Sequence, residues 1–138
     1  MGLSLYVLEP PASDDDDPEE IADCDVGHYS DFGCFRDTIA RHLARQRYPT
    51  LMDHSDCDGE WTVAEIPRLQ SELREIAEAF KALPPESPVE AFEHTAEFRV
   101  GAASLYDCFH EVNGENLFEA LLALCDVALE NDRPITFV

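Results

Sequence analysis

The sequence predicts an α+β fold: a small, mostly antiparallel sheet that includes the N- and C-terminal strands, packed against three or four helices. Three observations carry this expectation. The chain opens and closes on short apolar runs of strand composition, residues 3–8 and 135–138. Between them lie three segments whose apolar residues recur at helical spacing. The length, 138 residues with 45% hydrophobic side chains, suits a single domain with one core spanning 1–138.

In chain order, residues 3–8 read as a buried strand stopped by Pro10 and Pro11. An acidic loop is expected at about 9–31, which holds ten acids and no Lys or Arg. Runs of this kind are usually solvated. The sharper reading is a polyanionic surface in which Asp14, Asp15, Asp16, Asp17, Glu19 and Glu20 face a basic partner. Ser30 can cap a helix running to about Gln46, with Phe32, Phe35, Ile39 and Leu43 on its buried side. Arg41, Arg45 and Arg47 crowd its C-terminal turns, where cations complement the helix dipole, and Tyr48-Pro49 ends it.

A second helix is expected from Val63 to about Leu83, with Ile66, Leu69, Leu73, Ile76 and Phe80 as its apolar stripe. Pro67 falls within its first turns and Pro84-Pro85 stops it. Ser87-Pro88-Val89-Glu90 has the form of a helix start, so a short helix is preferred there over a strand, although Phe92, His94, Ala96, Phe98 and Val100 also alternate. Residues 106–112 have strand composition, with Tyr106, Cys108 and Val112 on one face. Asn113-Gly114 is a turn, and the last helix runs from about Leu117 to Asn131.

The formal charge is −21, from 30 acids against nine bases, of which Lys81 is the one lysine. Such a charge repels nucleic acid and anionic membranes. It suits a basic partner, or a chain kept soluble in a saline cytoplasm. Five cysteines without a Cys-x-x-Cys pair fit a reducing compartment, and neither a signal peptide nor a membrane span is expected, so the predicted location is cytoplasmic.

The densest chemistry lies at 54–65. As a calcium loop with Gly59 at its sixth position, it would place Asp56 third, Asp58 fifth and Glu65 twelfth. His54 then stands first, where an oxygen ligand is wanted, and imidazole is a poor ligand for calcium. The structural alternative explains the same residues. Thr62-Val63-Ala64-Glu65 is a capping box, Gly59 supplies a turn, and Trp61 anchors the loop to the core. That leaves no cofactor expected, with calcium on His54, Asp56, Asp58 and Glu65 as the alternative. Gly-x-Ser-x-Gly, phosphate-loop and dinucleotide patterns are missing, and His28, His94 and His110 are not fixed against a nucleophile, so no catalytic residues are assigned and no enzyme is expected.

Two blocks stand out together. One is Tyr48-Pro49-Thr50-Leu51-Met52-Asp53-His54-Ser55-Asp56-Cys57-Asp58-Gly59-Glu60-Trp61. The other is Ser104-Leu105-Tyr106-Asp107-Cys108-Phe109, continued by Asn113-Gly114-Glu115, Leu124-Cys125 and Pro134-Ile135. The pair resembles the bacterial immunity protein 70 family of polymorphic toxin systems, from about Tyr29 to the C-terminus, with the acidic stretch from Asp14 to Asp25 outside it. The resemblance implies a small cytoplasmic α+β protein that neutralises a cognate secreted toxin by binding it. It brings no catalytic residues.

Overall fold

Leu3, Leu5 and Val7 alternate with Ser4, Tyr6 and Leu8, and this period of two makes Gly2–Leu8 a strand, β1, with one face buried to 1% exposure or less. The computed structural model describes residues 2–9, 19–55, 58–85 and 102–138. The expectations at Asp14 to Asp17, at Asp56, and for a helix after Ser87 fall outside them.

The second strand, β2, is Glu20–His28, antiparallel to β1. Within the expected acidic loop of 9–31, residues 20–28 are instead a strand: Cys24 and Val26 are buried while Asp23 is exposed, so the acids of this part occupy the outward positions of a half-buried strand. Two register shifts against β1, between Leu3 and Ser4 and between Val7 and Leu8, interrupt the alternation.

The C-terminal strand, numbered β4 because a shorter strand precedes it in the chain, is Ile135–Phe137; it pairs with the other side of β1. That shorter strand, β3, is Glu60–Trp61 and joins the outer edge of β4, completing an antiparallel sheet in the order β2-β1-β4-β3.

Helix α1, Tyr29–His42, begins one residue before the expected Ser30. The buried Asp31 carboxylate accepts the His28 backbone N–H at 2.7 Å, so an acid inside the first turn closes the helix start and His28 takes the cap position. Phe32, Phe35 and Ile39 are fully buried, as their spacing predicts. The helix ends at His42, short of Gln46, and a 3-10 turn, Arg45–Arg47, follows. Next come the one-turn helix α2, Pro49–Met52, and the long helix α3, Ile66–Lys81. All five residues of the predicted α3 stripe are buried to 1% or less. Pro67 falls in the first turn of α3, where its missing N–H costs nothing.

Leu105–Cys108 is a 3-10 turn and not the strand its composition suggests. The Leu105 N–H donates to the Leu83 carbonyl at 3.0 Å, so the segment is tied to the end of α3 and does not pair along a sheet edge. Val112 is 47% exposed and does not share the buried position of Cys108. The last helix, α4, is Leu117–Asn131, capped by the Asn116 side chain accepting from the Glu119 N–H at 3.2 Å.

The core lies between the sheet and the helices. Phe35 of α1 meets Phe109 and Phe118 edge-on, each at 5.2 Å between ring centroids, and Phe118 meets Phe80 of α3 at 5.6 Å. The cysteines Cys24, Cys34, Cys108 and Cys125 form no disulfide among the described residues. Burial, then Asp126, push the Cys125 thiol from 9.0 up to about 12; burial, then Glu111, push Cys24 the same way. Protonated thiols are poor nucleophiles at neutral pH. The shift has a second consequence. Above pH 9.0 the unfolded thiol ionises while the folded one keeps its proton, so Cys125 stabilises the fold fully below pH 9.0 and loses that contribution as pH climbs toward 12. Urea midpoints should fall between about pH 8 and about pH 10.5, and the Cys125→Ala variant should show a shallower fall.

Candidate functional site

The segment between α1 and α3 carries the chemistry-rich motif, and three side chains from outside the 54–65 stretch, Glu72, Arg36 and Arg45, hold the segment in place. Two N–H groups at the start of α2, those of Thr50 and Leu51, donate to the buried Glu72 carboxylate of α3, at 3.3 and 3.0 Å. Arg68 pairs with the same carboxylate at 3.3 Å. Arg36 of α1, its guanidinium 4.3 Å over the Phe32 ring, donates to the His54 carbonyl at 2.8 Å. Arg45 donates to the Met52 carbonyl at 3.1 Å. These contacts join residues 18 or more apart in the chain at Arg36 and Glu72, which is why local spacing gave no sign of them.

Trp61 is fully buried and its indole N–H donates to the Thr50 carbonyl at 2.8 Å. Its ring meets Phe137 of β4 at 4.7 Å, and His54 stacks on the same phenylalanine at 4.3 Å. Gly59 takes φ +83°, a conformation side chains resist, and an added Cβ would meet the His54 ring at 3.6 Å. The Gly59 carbonyl accepts the Phe137 N–H at 2.9 Å, continuing the β3–β4 ladder. So Gly59 and Trp61 stand where the motif turns into the sheet, with the His54 ring packed between them and β4.

The proposed metal ligands are placed as follows. Both ring nitrogens of His54 face backbone carbonyls, Nδ1 that of Ser55 at 2.8 Å and Nε2 that of Glu60 at 2.9 Å. Whichever nitrogen carries the proton, its N–H meets a carbonyl. One Glu65 oxygen accepts from both the Thr62 N–H and the Thr62 hydroxyl, at 3.1 and 3.0 Å; the hydroxyl donates where a capping box needs it to accept, and α3 begins at Ile66 with Glu65 at the cap position, so the expected capping box is only half made. Asp58 is exposed, with its N–H 3.4 Å from the Ser55 hydroxyl. Among the described residues, no group of three or more His, Cys, Asp and Glu side chains is placed to hold a metal ion. Asp56 lies outside those residues.

Of the six acids assigned to a partner surface, Glu19 and Glu20 are described, and both are exposed at the start of β2. Desolvation, then Asp23 and Asp25, push the Glu20 carboxyl above its ordinary value. Two grooves, of about 120 and 150 Å³, lie between β2 and α4 and between α1 and the Arg45–Met52 segment. Both are smaller than the few hundred Å³ of an ordinary small-molecule site. Among the described residues, no helix is long and apolar enough to cross a membrane.

The class the fold defines is a small α+β domain with a packed core and an exterior rich in carboxylates. The chain belongs to the immunity protein 70 family, whose model matches residues 19–137. The match begins at Glu19, ten residues before Tyr29, and so takes in the acids of β2. Membership brings a toxin-neutralising role in general, and with it a cognate toxin as partner. No curated protein and no solved structure matches.

Proposed function

We propose that this protein neutralises its toxin in the cytoplasm by binding it stoichiometrically, without catalysis, and that the toxin presents a basic surface. The observation that carries the reading is the charge of −21 on a chain of 138 residues, joined to membership of an immunity family. Toxins that act on nucleic acid need basic clefts, and an acidic inhibitor approaches such a cleft quickly and excludes the substrate from it. The thiols of Cys24 and Cys125, buried and held protonated, support a non-catalytic mode of action.

Co-expression with its cognate toxin tests the proposal. Cells should survive toxin induction when the protein is present, and the two chains should co-purify. Loss of both protection and complex would sink it.

A further inference from the structure

The strands β1, β2, β3 and β4 contain Glu20, Asp23, Asp25 and Glu60 and no Lys or Arg. Seven of the nine bases lie between Arg36 and Lys81, in α1, the turn after it and α3. Arg133 donates to the Leu8 carbonyl at 2.7 Å, and Arg99 is outside the described residues. Most of the described cations are therefore on the helical segments, and the strands themselves carry only acids, with Arg133 set against the end of β1.

The register sharpens this. Asp23 pairs with Tyr6, Tyr6 with Thr136, and Thr136 with Glu60, so one row crosses all four strands. Residues directly opposite in an antiparallel pair share a face. The alternate residues Leu5, Val7, Cys24, Ile135 and Trp61 are buried against the helices, so the row points the other way, and none of its four members is buried. Asp25, accepting from the Ser4 hydroxyl, and Glu20, opposite Leu8, extend the row along β2. With strands about 4.8 Å apart, the acids at the two ends of the row stand roughly 14 Å apart with an aromatic ring between them. Two basic side chains are needed to reach both, and the Tyr6 ring offers a face for a third cation.

We propose that this outward face of the sheet is where the toxin docks, its occupant a basic protein surface whose Lys and Arg side chains meet Asp23 and Glu60 on either side of Tyr6. The proposal rests on the toxin-binding reading above and adds the place of contact. The like-charge crowding of Glu20 by Asp23 and Asp25 is relieved when a cation arrives.

Calorimetry against the catalytically inactivated cognate toxin domain tests it, using two triple variants with the same net charge. One carries Glu20→Gln, Asp23→Asn and Glu60→Gln on the sheet face. The other carries Asp37→Asn, Glu119→Gln and Glu130→Gln, exposed acids of α1 and α4. The sheet-face variant should bind roughly 100-fold more weakly than wild type, and the control less than about fivefold. Equal losses, or a larger loss in the control, would overturn the proposal. Single Asp23→Asn and Glu60→Gln variants, each expected to weaken binding about tenfold, carry the same test should the triple variant unfold at a lower temperature. If wild type and both variants all fail to bind, the toxin-binding reading itself falls, and this proposal with it.

Discussion

Replacing Trp61 with alanine should destabilise the protein by about 3–5 kcal/mol, the range for emptying a fully buried large aromatic site. Three losses combine there. The indole buries its whole surface; it packs on Phe137 and, at 5.1 Å, on His54; and its N–H satisfies the Thr50 carbonyl, which would be left without that donor. At this chain length the loss lowers the thermal midpoint by roughly 10–20 °C. Trp61→Phe keeps a ring in the site and gives up the hydrogen bond, so it should cost less, about 1–3 kcal/mol. Urea or thermal unfolding of both variants checks the order. A Trp61→Ala cost below about 1 kcal/mol would show that the motif is not the anchor of the sheet edge described above.

The affinity of the protein for its toxin should fall by roughly 100-fold or more as salt rises from about 50 mM to about 500 mM, most of it in the association rate. The sign follows from the charge of −21 meeting a basic surface: screening weakens attraction, whereas two like-charged partners would gain from it. The magnitude is set by steering, which raises association to about 10⁸–10⁹ M⁻¹s⁻¹ from a neutral value nearer 10⁵–10⁶. Stopped-flow or surface-based kinetics over a salt series gives the slope directly. A flat slope would mean that the acids serve solubility and that the toxin is held by apolar contact.

What the sequence made legible follows from how local each signal was. The stripe Ile66, Leu69, Leu73, Ile76 and Phe80 repeats over four turns and is buried as predicted, although α3 starts at Ile66 rather than Val63 and ends at Lys81 rather than Leu83. The span of α4 is also as expected, because its apolar face is wide and Asn116 and Asp132 mark its ends. Strand β2 was hidden because only Cys24 and Val26 mark its inner face among acids, and because two register shifts break the period. At two residues, β3 has no periodicity to read; it exists because Trp61 and the Gly59 carbonyl attach it to β4. Residues 105–108 had strand composition but took a 3-10 turn through the tie to Leu83. In the 54–65 motif, the tie between Thr62 and Glu65 and the anchor at Trp61 could be read locally, although the helix starts after Glu65 and not after Thr62. The roles of Arg36 and Glu72 depended on contacts across the fold.

The most direct test of toxin binding is a calorimetric titration of the purified protein into its inactivated cognate toxin domain. The account predicts a saturable complex at one-to-one stoichiometry, with full loss of toxin activity at the same ratio in a parallel assay. A toxin left active at stoichiometric excess, with no heat of binding, would contradict it.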